Sequence, residues 1–116
     1  MSIKERIAII ENDDKEIEWH VLHQLLELAM SVTGRGYVSD DYTKFIEIEI
    51  GDITIFSDPY YGTVQIDETE IDSKTIQKLI TEVKKRLLQF DKNIETIRDK
   101  AASEIFDKPI NWLENI

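Results

Sequence analysis

Between Ile3 and Val32 the apolar residues Ile3, Ile7, Ile10, Ile17, Val21, Leu25, Leu28 and Val32 recur in steps of three or four, with one gap between Ile10 and Ile17. Such spacing winds into a continuous apolar stripe along one side of a helix, so the segment is predicted helical. The polar run "ENDDK" at 11–15 interrupts the stripe, and Asp13 or Asp14 suits the start of a new helix, where free amides attract negative charge. Two helices are expected, with one long bent helix as the alternative. "TGRG" at 33–36 ends the second, because glycine readily takes the left-handed conformation at which helices stop.

The period then shortens to two. Ile46, Ile48 and Ile50 alternate with Phe45, Glu47 and Glu49, which is the pattern of a half-buried strand. Gly51 and Asp52 separate this run from a second one, "ITIFS", and a glycine first in a two-residue connection predicts a type II′ hairpin. In that register Ile50 faces Ile53 and Ile48 faces Ile55, so both strands put isoleucine on the same face. "DPYYG" at 58–62 marks another turn, and Val64 and Ile66 in "TVQID" bring in a third strand. The acidic string Asp67, Glu68, Glu70 and Asp72 lacks the alternating spacing and central glycine of a calcium loop and is expected to be a solvated turn.

Beyond it, Asp72 or Ser73 can cap a helix whose stripe is Ile76, Leu79, Ile80, Val83, Leu87 and Phe90. Ile94, Ile97, Ala101 and Ile105 continue the spacing until Pro109 breaks it, leaving a short terminal turn packed by Trp112 and Leu113. The predicted fold is a single α+β domain over 1–116: N-terminal helices, a three-stranded antiparallel meander, then C-terminal helices packed on one sheet face.

Charge alters this picture by its distribution. Residues 1–72 carry 17 acids and 5 bases, residues 73–100 carry 4 acids and 8 bases, and the whole chain has a formal charge of −10. A surface of this sign repels phosphate backbones and favours basic partners. The bases Lys74, Lys78, Lys84, Lys85 and Arg86 are expected on the solvent side of their helix, without interleaved aromatics, so no nucleic-acid partner is implied. The chain has no cysteine, which removes disulfides, thiolate metal sites and thiol nucleophiles. The first residues resemble neither a signal peptide nor a membrane span, and the expectation is a cytoplasmic protein with no membrane partner.

Both histidines fall in "EIEWHVLHQLLE", where Glu16, His20, His23 and Glu27 share one helical face at metal-ligand spacing. The apolar residues lie on the opposite side, so this face is expected to point to solvent, and a metal-dependent enzyme using His20 and His23 is a remote alternative. No cofactor is implied. Glu18 projects among the apolar residues, and a place in the helix's first turn would accommodate it. Ser31, Ser39, Ser57, Ser73 and Ser103 occupy no nucleophile turn, and the glycines of "VTGRG" follow a helix instead of preceding one, contrary to a phosphate loop.

A small, acidic, cysteine-free chain with an isoleucine-rich meander and a tail "DKAASEIFDKPINWLENI" resembles small bacterial α+β families of unknown function. It also resembles the immunity proteins of bacterial polymorphic toxin systems. That resemblance implies a non-enzymatic, immunity or antitoxin-like protein whose partner is a basic toxin domain. Glu47, Glu49, Asp52 and Asp58, with Tyr60 and Tyr61 beside them, are the expected partner-binding residues, since acids steer basic partners and tyrosines supply contact area. An alternative is a structural or accessory homodimer formed through Leu88, Phe90 and Phe106.

Overall fold

Ser2 and Glu5 open the first helix with a reciprocal cap: the Glu5 amide donates to Ser2 Oγ at 3.1 Å, and the Ser2 amide and hydroxyl donate to the Glu5 carboxylate. The computed structural model containing them describes residues 1–14, 17–41, 44–92 and 98–112. The elements run α1 (Ile3–Asp14), α2 (Glu18–Thr33), β1 (Tyr37–Val38), β2 (Ile46–Ile50), β3 (Ile53–Asp58), β4 (Thr63–Ile66), β5 (Thr69–Glu70), α3 (Ser73–Lys92) and α4 (Arg98–Phe106).

The N-terminal stripe thus divides into two helices, but Asp13 and Asp14 end α1 and do not cap α2. The α2 N-cap is Ile17, which makes no side-chain cap bond. Glu18 occupies the first turn, as its sequence position suggested, and accepts hydrogen bonds from Ser73 Oγ and, at 2.7 Å, from Gln77 Nε2. It therefore ties the start of α2 to the start of α3. Gly34 closes α2 in the left-handed conformation (φ +73°), its amide donating to the Met30 carbonyl at 2.8 Å.

The sheet is an antiparallel meander of five strands in chain order, two more than the pattern predicted. Its central hairpin has the expected register, Ile50 opposite Ile53 and Ile48 opposite Ile55, and of the two turn residues only Gly51 has positive φ (+65°), as a type II′ turn requires. The additional strands are two residues each. β5 arises because the acidic string contains a second tight turn: Asp67 (φ +47°) and Glu68 (φ +72°) both take left-handed backbone, reversing the chain between Ile66 and Thr69. Asp67 stabilises this reversal by accepting from the Thr54 amide through Oδ1 and donating its own amide to the Thr54 carbonyl.

Ile46, Ile48, Ile50, Ile53, Ile55 and Val64 line the inner face of the sheet and are buried against the helices. Of these helices α2 is central, packing against α1, α3, α4 and β2, so the main helix contact with the sheet comes from the N-terminal half and not, as expected, from the C-terminal helices, of which α3 packs chiefly on α2. Asp72 caps α3 by accepting from the Thr75 amide at 2.9 Å, and that bond holds its carboxyl below the usual carboxylate range. The expected stripe of α3 is buried, with Ile80 half-buried; Ile94, Ile97 and Leu113 lie outside the described residues.

Three side chains correct the expected surface. Phe90 and Phe106 pack edge to face at 6.1 Å inside the core and are not available to a second copy of the chain. Arg86, expected on the solvent side, is only 3% exposed. Its Nη1 donates to the carbonyls of Ile105 and Phe106, its Nη2 to that of Pro109, and its Nε to Glu82. A guanidinium is the one side chain with enough fixed donors to satisfy the carbonyls left open at the end of α4, which explains its burial. The Phe106 carbonyl also accepts from the Gly51 amide, and Asp52 accepts from the Ile110 amide, so the β2–β3 turn and the end of α4 are joined.

Candidate functional site

A meander packed on one side leaves its other face to solvent. Here that face carries the side chains out of phase with the buried isoleucines. In strict register across all five strands lie Tyr37, Glu47, Phe56, Gln65 and Glu70, one residue from each strand. Glu49 and Thr54 form the neighbouring pair on one side, and Asp58 and Thr63 a pair on the other. Phe45 joins Tyr37 to Phe56 through ring contacts of 5.8 and 5.0 Å, giving an aromatic band across the acidic row. Glu47 and Glu49 are exposed, Tyr37 is 54% exposed, and Phe45 and Phe56 are half-buried. From Phe45 to Ser73 there is no lysine or arginine against eight acids, so the five-residue row has no cation of its own.

Of the six residues expected to bind a partner, the fold brings Glu47, Glu49 and Asp58 onto this face. Asp52 is drawn away, because its carboxylate holds the Ile110 amide at 3.1 Å. Tyr60 and Tyr61 stand beyond the end of the sheet in the β3–β4 turn, in edge-on contact at 4.8 Å and 62% and 73% exposed. The turn is shaped by Asp58, which accepts from the Tyr60 amide, and by Trp19, whose ring lies where a side chain on Gly62 would have to go. Sequence reasoning missed Tyr37, Gln65 and Glu70: Gln65 lies on the expected third strand, out of phase with the buried Val64, whereas Tyr37 and Glu70 depend on the two short edge strands, for which no alternation is long enough to give a signal.

The histidine face needs a larger correction. Glu27 is exposed and Glu16 lies outside the described residues, but His23 is 7% exposed and shares a 2.7 Å hydrogen bond between its Nδ1 and the hydroxyl of Ser57, itself fully buried on β3. A single apolar stripe implies a helix buried on one side, whereas α2 is buried on two. Trp19 against Gly62, His23 against Ser57 and Met30 against Gly36 mark its second buried line, the one facing the sheet. His20 remains on the groove beside Tyr60 and Lys44, its Nε2 at 3.2 Å from the Gln24 amide nitrogen. Among the described residues no three His, Asp or Glu side chains converge as a metal set. The Ser57–His23 pair has the chemistry of a nucleophile and base, yet a hydroxyl with no exposed surface offers no approach to a substrate, and the pair satisfies two polar groups within the core.

Burial pulls the His23 imidazole below its ordinary value of 6.5, reinforced by His20 and opposed by the carboxylates of Glu27 and Asp58. The unfolded chain therefore binds a proton in a pH range where the folded one does not. Stability from this group is complete above about pH 6.5 and is lost as the pH falls from there towards the lower folded value. The melting temperature is expected to drop between about pH 7 and pH 5, before most carboxylates titrate. His23→Asn, which keeps a polar partner for Ser57 without the charge, should flatten that slope in a thermal series; an unchanged slope would place its origin elsewhere.

Among the described residues no helix is long and apolar enough to cross a membrane. Comparison with protein-family models, with curated proteins and with solved structures gives no significant match.

Proposed function

We propose that this chain is a non-enzymatic protein-binding module, of the immunity or antitoxin kind, that docks a basic protein through the open face of its sheet. The observation that carries this reading is the pairing of an aromatic band with carboxylates on an uncovered face whose strands β2 to β5 contain no base; Arg35, which borders the face beside Tyr37, Glu47 and Glu49, is paired with Asp107. Aromatic residues supply contact area that loses little entropy on binding, while uncompensated acids steer a cationic partner and select against acidic ones. The buried Ser57–His23 pair gives no comparable support to an enzymatic reading, because a substrate has no route to it.

The test is a photo-crosslinking residue placed in the native cell either at Thr63, on the docking face, or at Lys85, on α3. A single basic protein trapped from Thr63 and not from Lys85 is the expected result, with this chain neutralising that protein's toxicity when the two are co-expressed. Trapping from Lys85 alone would place the interface on the helices and remove the proposal.

A further inference from the structure

The open face has a centre, and its chemistry is more specific than negative charge. Phe56 sits mid-sheet with Glu47 directly across on β2 and Gln65 directly across on β4. The two residues of the β4–β5 turn, Asp67 and Glu68, close one side, so that a single concavity is lined by Glu47, Thr54, Phe56, Gln65, Asp67 and Glu68. Asp67 is spent on the Thr54 amide. Glu47 and Glu68 make none of the hydrogen bonds or ion pairs found among the described side chains, and Gln65 adds a neutral amide. Glu68 moreover holds a left-handed backbone conformation that glycine would adopt with less strain, as its equivalent in tight hairpin turns commonly does.

We infer that this concavity is a seat for an arginine side chain supplied by the docked protein. The inference rests on the docking reading above and names the group recognised. A guanidinium is flat and weakly hydrated, so it stacks on an aromatic floor while its edge donors reach carboxylates at the rim. Adjacent strands lie about 4.8 Å apart, which sets the carboxylate of Glu47 and the amide of Gln65 on either side of a group stacked on Phe56. An ammonium group is compact and strongly hydrated and gains less from such a floor. A phosphate or an acidic peptide is repelled by the same carboxylates. A second copy of the chain has few arginines to fill the seat: of its four, Arg86 is buried, Arg35 pairs with Asp107 and Arg98 is bound to the carbonyls of Ser31 and Val32, which leaves Arg6, exposed on α1, as the one a second copy could offer.

The experiment uses the full chain, isotope-labelled, titrated with a short blocked peptide carrying two arginines and with its two-lysine counterpart, and followed by amide chemical shifts. The arginine peptide is expected to shift Glu47, Thr54, Phe56, Gln65 and Glu68 saturably and to bind about two- to fivefold more tightly than the lysine peptide. Phe56→Leu, checked by its melting curve to be folded, should erase the difference between the peptides. E47Q with E68Q should weaken both. Equal affinity for the two peptides with shifts still on the open face overturns the arginine seat while sparing the docking surface. Shifts on another face with both peptides overturn the seat and the docking surface together, and shifts that grow with protein concentration alone would replace the seat with self-association.

Discussion

Replacing Arg86 by methionine is expected to cost about 3–5 kcal/mol of stability, the range seen when one member of a buried, hydrogen-bonded charged group is removed. The aliphatic stem is retained, so the loss comes from the guanidinium and not from packing. Without it the carbonyls of Ile105 and Pro109 lose the donors they have in the fold, and Glu82 loses its partner at 2.9 Å. The Phe106 carbonyl keeps the Gly51 amide. For a domain of this size the melting temperature should fall by roughly 10–20 °C. Lysine at the same position preserves the charge but cannot span three carbonyls with one ammonium, so Arg86→Lys should recover only part of the loss. Urea titrations of both variants measure this directly; a cost near that of an ordinary surface arginine, within about 0.5 kcal/mol, would show that the carbonyls are satisfied without it.

A second large effect is expected from Gly51→Ala, and Gly34→Ala provides its control. Both glycines have positive φ, +65° and +73°, so both substitutions incur the left-handed penalty of about 1–2 kcal/mol for an L residue. They differ in surroundings. A methyl on Gly34 meets nothing within 4 Å, whereas one on Gly51 would lie 2.2 Å from the carbonyl oxygen of Lys108, with the Lys108 carbon and Pro109 Cα at 3.1 Å. All three are backbone atoms that cannot rotate aside. The turn must separate from the end of α4, breaking the Gly51–Phe106 hydrogen bond, and the total cost should reach roughly 3–5 kcal/mol. Equal destabilisation of the two variants would mean that the contact yields easily.

These two residues also show what was legible in the chain and what was not. The central hairpin was readable because turn chemistry and alternation agreed on one register. The helix α3 was readable from its stripe and its aspartate cap. Arg86 was assigned to solvent by its charge, although Leu79, Val83, Arg86 and Phe90 are themselves spaced by four, three and four and so fall on one buried line. Ser2 and Glu5 form a capping box whose spacing is visible in the sequence once the start of the helix is fixed. His23 is different in kind: a central helix buries two faces, and which polar residue it turns towards the sheet depends on Ser57, 34 residues away. The acidic string concealed a strand because Asp67 and Glu68 make a tight turn without the glycine that usually signals one.

Of the candidate surface, half was foreseeable. Alternation with the buried isoleucines is enough to put Glu47 and Glu49 outward. The five-residue row of which Glu47 is part required edge strands of two residues, too short to carry a period.

The same row bears on what an exposed hairpin would do. "IEIEIGDITIF" combines high strand propensity, dense β-branching and no proline, a composition that stacks readily into fibrils when its edges are free. In the folded chain those edges are covered by β1 and β4, and the outer edges of the sheet are β1 and β5, strands too brief to template another molecule. Should the hairpin become exposed, in-register stacking of identical copies would pile Glu47 on Glu47 and Glu49 on Glu49 in columns of like charge. The two glutamates are therefore expected to oppose fibril growth from an exposed hairpin, and exchange of both for glutamine should speed fibril formation in a dye-binding assay.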